Sequence, residues 1–169
     1  MIKYQVGHGL KILFIGVNPH PGSYRRGVPY SNNKLFWYLL SDAGLLAEPR
    51  EFLKDDVQLK HLYLHKFKKI YHFGLLNVVN RPSRIASELK QKEALPGRKR
   101  ILAAIHKYHP QVVCFVGKIT YQLFSGLAHV AYGWQSDSAS SKIYVMHAPH
   151  HGAAQIRINE LKKVFKASS

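Results

Sequence analysis

Residues 10–30, LKILFIGVNPHPGSYRRGVPY, decide how the rest of the chain reads. Ile12-Leu13-Phe14-Ile15 is an apolar run without alternation. It predicts a strand over residues 10–17 buried on both faces, as in a parallel sheet. The run stops at Gly16-Val17-Asn18-Pro19 and opens into a loop, residues 19–30, holding glycines, prolines, two arginines and two tyrosines. A buried strand that ends in a polar residue and a Gly/Pro loop puts that loop at the sheet's carboxyl edge. Open α/β sheets bind ligands there. Asn18 sits at that edge.

Outward from this strand, helices and short apolar runs alternate. Ser31 is placed to cap a helix through Leu35, Phe36, Leu39 and Leu40 that stops at Gly44. Residues 50–73 read as one helix, basic on its outer side and ended by Gly74. A second strand follows over residues 75–79. Arg81-Pro82-Ser83 breaks it and starts a helix to about Lys90, and Pro96-Gly97 opens another from Lys99 to Tyr108. Residues 111–116 are a third strand, followed by a helix from Ile119 to Phe124. Residues 127–141 read as irregular, Ile143 to Met146 as a fourth strand, and Gln155 to Lys166 as a last helix. Strands alternating with helical crossovers argue for an α/β fold. The expected architecture is a three-layer α/β/α domain over residues 1–169, with a mainly parallel, about four-stranded central sheet.

Net charge bounds the partner. With 25 Lys+Arg against 9 Asp+Glu the chain carries +16, and the basic residues are spread along it rather than gathered in a tail. The field therefore belongs to the folded body, and nucleic acid is the first partner to expect, ahead of an anionic membrane or an acidic protein. So few carboxylates give poor support to a two-carboxylate glycosidase or a two-metal nuclease. GxSxG, HExxH and GxGxxG signatures are absent. The one cysteine, Cys114, lies in an apolar run and reads as core, so neither an intrachain disulfide nor a cysteine-held metal cluster is possible. No signal-peptide region or membrane-spanning run is evident. The expected compartment is reducing and intracellular: the cytoplasm of a prokaryote, or the nucleus of a eukaryote.

Polar residues stand at or near the strand ends: Asn18 after the first, Asn77 within and Asn80 just past the second, Gly117-Lys118 after the third, and His147-Ala148-Pro149-His150-His151-Gly152 after the fourth. In a parallel sheet these meet at one edge and form a pocket from distant segments. Each has a plainer reading. Asn18-Pro19 is a common turn pair, and Asn77 can be a satisfied buried amide. Gly117-Lys118 is more often a strand-to-helix turn than a phosphate loop, and Phe36-Trp37 reads as core. His147, His150 and His151 have the composition of a metal site, but they sit in a Pro/Gly loop with no carboxylate nearby in sequence. No metal or cofactor is expected.

Gly16-Val17-Asn18-Pro19, then Gly27-Val28-Pro29-Tyr30, then Phe36-Trp37 resembles the first motif of the mismatch-specific uracil/thymine DNA glycosylases, within the uracil-DNA glycosylase superfamily. The likeness continues through residues 74–82, Gly97-Arg98, residues 117–121, and Tyr144-Val145-Met146 with the loop after it. It spans about residues 7–165 in the family's order. The resemblance implies an enzyme that flips a uracil-type base out of DNA and hydrolyses its N-glycosidic bond, with DNA containing uracil or a mismatched base as partner. It acts without cofactor and is expected as a monomer. By position, Asn18 matches the asparagine that holds the attacking water, and Tyr30 the aromatic that stacks on the base. Ser23 falls near the base's 5-substituent, and Asn77 at a base-touching position. Val17 and His20 belong to the same base-binding motif.

The loop over residues 147–153 matches the second motif, which lies against DNA, so His150, His151 and Gly152, with Lys118 and Arg81, are expected at the DNA. His147 is similar to the histidine of other superfamily branches that stabilises the leaving base, and is expected to be catalytic. The sequence departs from the family at His20, where a glycine is usual, at Lys34, where an asparagine precedes Phe-Trp, and in the second motif. That motif shows no large apolar wedge. Two rival readings remain: a glycosylase-fold DNA-binding module without turnover, and a metal-dependent hydrolase using the three loop histidines.

Overall fold

β1 (Ile12–Gly16) is buried along its whole length and feeds two cores. The computed structural model describes all 169 residues. Ile12 and Phe14 point into the larger core, with α2 (Leu35–Asp42), α3 (Arg50–Leu53), α4 (Asp56–His65) and α7 (Ala154–Ala167). Leu13 and Ile15 point the other way, toward α5 (Gln91–Tyr108) and α6 (Lys118–Ser125). Helices thus cover both faces, which is why the central strands carry no polar alternation.

β2 (Phe73–Asn77), β3 (Val112–Val116) and β5 (Ser141–Met146) lie parallel to β1, and β4 (Gly133–Ser138) runs antiparallel at one edge, giving the order β2-β1-β3-β5-β4. The α/β/α architecture is as expected, but the sheet has five strands rather than four. β4 was hidden for two reasons. Its sequence, GWQSDS, is polar and largely exposed, as suits an edge strand. Its two-residue turn to β5 uses Ala139 and Ser140 at φ 46° and 72°, in place of the Asn-Gly pair that marks such hairpins.

Four helical boundaries also differ from expectation. The stretch 50–73 is not one helix: Asp55 accepts from Gln58 N–H at 2.9 Å and starts α4 anew, and Gly74 lies inside β2. Ser31 does not cap α2. Its hydroxyl donates to Val28 C=O, and Asn33 Oδ1 takes the Leu35 N–H. The helix expected to follow Ser83 is only a 3₁₀ turn, Ala86–Glu88. α5 begins ahead of Pro96, at Gln91, because Glu93 accepts from the Lys90 N–H and closes the first turn. The loop over residues 19–30 also contains a short helix, α1 (Pro21–Arg26). No helix is long and apolar enough to cross a membrane.

Candidate active site

The register of β1 and β2 sets Gly16 beside Asn77, so the segments leaving the two strands start side by side. Between them, under the loop after β5, lies a cavity of about 240 Å³. Asn18, Pro19, His20 and Ser23 line it from the loop after β1, with Pro29, Tyr30, Asn32 and Asn33 farther along. Asn77 closes it from β2, and Pro149 and His150 from the loop after β5.

Asn18 is held by its amide nitrogen, which donates to Arg81 C=O at 3.0 Å and to Ser83 Oγ at 2.7 Å. A carbonyl only accepts, so the NH₂ group must face residues 81–83 and Oδ1 is left with no protein partner. Ser83 is buried; its hydroxyl donates to Ile85 C=O at 3.1 Å and its N–H to Pro19 C=O at 3.1 Å. It ties the loop after β1 to the loop after β2. Sequence reading missed Ser83. The one available signal was its place, a few residues beyond the second strand.

Asn77 is buried at the end of β2. Its Nδ2 donates to Tyr4 Oη at 2.9 Å, and Arg100 takes its backbone carbonyl at 2.7 Å. Oδ1 of Asn77 lies over Gly16, where a Cβ would collide with it and with Tyr30 Oη. Tyr30 takes a left-handed φ of 57°. Its ring stacks on Phe36 at 4.4 Å, and Phe36 packs edge-on against Phe14 and Trp37. Trp37 Nε1–H donates to Pro29 C=O at 2.9 Å, which fixes the backbone just before Tyr30. Burial pushes the Tyr30 phenol well above its ordinary pKa, so it stays neutral. Ser23 is buried and accepts from the N–H groups of Ser31 and Asn32 at 3.1 and 2.9 Å, which folds the loop onto α1.

His20 occupies the place of the usual glycine. Its Nδ1 accepts from Gly22 N–H at 3.0 Å and caps α1, so the ring's proton sits on Nε2, which has no partner in the protein.

Not every expected residue reaches the cavity. Val17 adjoins Asn18 but does not line it; its carbonyl accepts from Val79 N–H. His147 also stays outside. Its ring stacks on Tyr132 at 3.6 Å, and its Nδ1 and backbone N–H meet Glu160 Oε1 at 2.9 and 3.0 Å. A buried carboxylate next to the ring explains the placement. Lys118 Nζ stands over Tyr132 at 4.4 Å. Arg81 turns its guanidinium to Glu93 at 2.8 Å, and reaches the site through its carbonyl instead. Arg81 and the Lys90 N–H hold the Glu93 carboxyl down at about 2. His151 and Gly152 are exposed on the loop beyond His150. No three His, Cys, Asp or Glu side chains are grouped to hold a metal ion, because His147 points to Glu160 while His150 turns to the cavity.

The body is a strongly basic α/β/α layering with a polar cavity, floored by Tyr30, at the sheet's carboxyl edge, where open α/β folds bind their ligands. Residues 4–166 match the model of the uracil DNA glycosylase superfamily, and the chain belongs to that superfamily. It is accordingly a DNA N-glycosylase, a hydrolase of base-excision repair that acts on DNA.

Proposed function

We propose that this protein is a monofunctional, mismatch-specific glycosylase for uracil, extending to thymine or another deaminated base, with Asn18 holding the attacking water. The orientation of Asn18 carries the reading. With both amide protons engaged by Arg81 and Ser83, Oδ1 is fixed as an acceptor on the cavity wall, which is what holding a water requires.

In this reading the flipped base stacks on Tyr30. Asn77 Oδ1 accepts the ring N–H between the two carbonyls of uracil, where cytosine would present an acceptor. The water oxygen bonds to the sugar C1′ as the C1′–N bond breaks. The electron pair leaves with the base, and the water's proton passes to solvent or the departing base. Among the free side-chain donors on the wall, His20 Nε2–H and Tyr30 Oη–H are the ones that meet charge growing on the base carbonyls. His147 has a supporting part, anchoring the loop that carries Pro149 and His150. Mismatch preference follows because a weakly paired base costs less to extrude. The chain acts as one domain and as a monomer.

The test is release of base from duplexes with G:U, G:T and G:hypoxanthine pairs by the parent protein and Asn18→Ala. The parent is expected to release uracil first, and the variant to bind DNA but lose roughly 10²-fold or more in single-turnover rate. No release by the parent from any of the three would refute the proposal.

A further inference from the structure

Arg157 is the buried cation that the site above does not use. It is 2% exposed, on the first turn of α7 beneath the loop over residues 148–152. Its Nη2 donates to Gly152 C=O at 2.9 Å, while Nε and Nη1 are buried with no partner. A guanidinium stays charged at any physiological pH, and one buried without a counter-ion is costly. The one carboxylate on the helix, Glu160, makes no ion pair with it and is turned to other partners. Both Glu160 oxygens are engaged, one by His147 and the other by Tyr144 Oη at 3.1 Å.

The helix start is equally unsatisfied. α7 runs for 14 residues, yet its capping residue is Ala153, which offers no side-chain acceptor, and its first turn holds no acidic residue. The Arg157 side chain runs back toward this terminus, as its bond to Gly152 requires. Both features call for an anion at the same place, and residues 150–156 around it are exposed.

We propose that Arg157 and the first turn of α7 form a phosphate site for the DNA strand whose base enters the cavity, held shut in the free protein by the Gly152 carbonyl. The inference rests on the DNA glycosylase reading. Nε–H and Nη2–H lie on one edge of the guanidinium, and that edge matches two oxygens of a phosphodiester. Of the two, only Nη2 is engaged now, by a single carbonyl. Arrival of the phosphate displaces that carbonyl, satisfies both nitrogens, and meets the free N–H groups of the helix. Gly152 is two residues beyond His150, which lines the cavity, so the site lies within ~7 Å of chain from it. One nucleotide spans that gap.

The experiment uses a duplex with a non-hydrolysable 2′-fluorinated deoxyuridine opposite guanine. Each phosphate near it is replaced in turn by a neutral methylphosphonate, and binding is measured for the parent, Arg157→Met and Arg157→Lys. The parent is expected to lose about 10-fold in affinity at one linkage beside the target nucleotide. Arg157→Met should be weaker throughout, indifferent at that linkage, and shallower by about 0.9 in the slope of log affinity against log salt. A variant that keeps the parent's sensitivity at every linkage, or its full salt slope, overturns the proposal. Arg157→Met is expected to melt no lower than the parent, since methionine replaces an unpaired buried charge. Should it not fold, Arg157→Lys carries the test. It keeps the charge without the fork, and must lose at least half of the linkage effect in log units; an undiminished effect overturns the site. The glycosylase reading fails separately, if the parent releases no base from the cleavable duplex.

Discussion

A single methyl group on Gly16 should disable the cavity while leaving the fold in place. Gly16 is the last residue of β1, paired in register with Asn77, and its φ is one that alanine adopts without strain. Only space is at stake. A Cβ there would stand 2.6 Å from Tyr30 Oη, and closer still to Asn77 Oδ1, where ordinary contact begins at 3.4 Å. The tyrosine hydroxyl and the asparagine amide must therefore each retreat by roughly 1 Å, the scale of misplacement that costs catalysis about 10²-fold. Neither can swing aside freely. Tyr30 is stacked on Phe36, and Asn77 is tied to Tyr4 and to its strand. Overpacking of this kind costs about 1–3 kcal/mol, or roughly 2–12 °C in melting temperature for a chain of this size.

The assay is single-turnover release of uracil from a G:U duplex at saturating Gly16→Ala, beside a thermal melt and an affinity measurement on abasic DNA. The expected result is a rate down by on the order of 10², a modest fall in melting temperature, and nearly unchanged abasic-DNA binding. A folded variant that released base within about threefold of the parent would refute the argument that these two side chains read the base.

Two further outcomes follow from the scaffold around Asn18. Ser83→Ala leaves the Asn18 amide with Arg81 C=O alone. Losing one hydrogen bond of about 1 kcal/mol should lower the single-turnover rate roughly five- to tenfold without changing DNA affinity; an unchanged rate would show that Ser83 does not orient Asn18. Glu93→Gln should alter the acid limb of stability. Glu93 is held at about 2, below its ordinary 4.5, so its contribution is present above the unfolded value and lost as pH falls through the folded one. The melting-temperature gap between parent and Glu93→Gln should be full near about pH 6 and close between about 4.5 and 2. A gap that persists at the acid end would contradict the pairing with Arg81.

The sheet was legible because its four parallel strands are buried on both faces, and burial leaves an unbroken apolar run in the sequence. The same pattern located Asn18, the polar residue that stops the first run; Asn77 was expected inside a strand over residues 75–79, whereas β2 runs two residues earlier and ends on it. β4 carries no apolar run, because an exposed edge strand needs none, and its turn lacks the residues that announce a hairpin. The break between α3 and α4 falls at Asp55, whose side chain takes the Gln58 N–H, and α4 stops at His65, ahead of the turns that lead into β2. Ser83, Glu93 and Glu160 were illegible for a different reason. Each acts on a residue far away along the chain, or on one whose partner only the folded loops reveal.

His147 and His20 make the same point in opposite directions. His147 has the motif position of a base contact, yet Glu160 and Tyr132 hold its ring outside the cavity. His20 looked like an obstacle, a bulky ring where a glycine is usual. In the fold its bulk is turned to use, because Nδ1 caps α1 and that bond leaves Nε2–H as a fixed donor on the cavity wall. A glycine there could neither cap the helix through a side chain nor present that donor. The two histidines thus differ in place: Glu160 holds the ring of His147 beside α7, and His20 stands on the cavity wall.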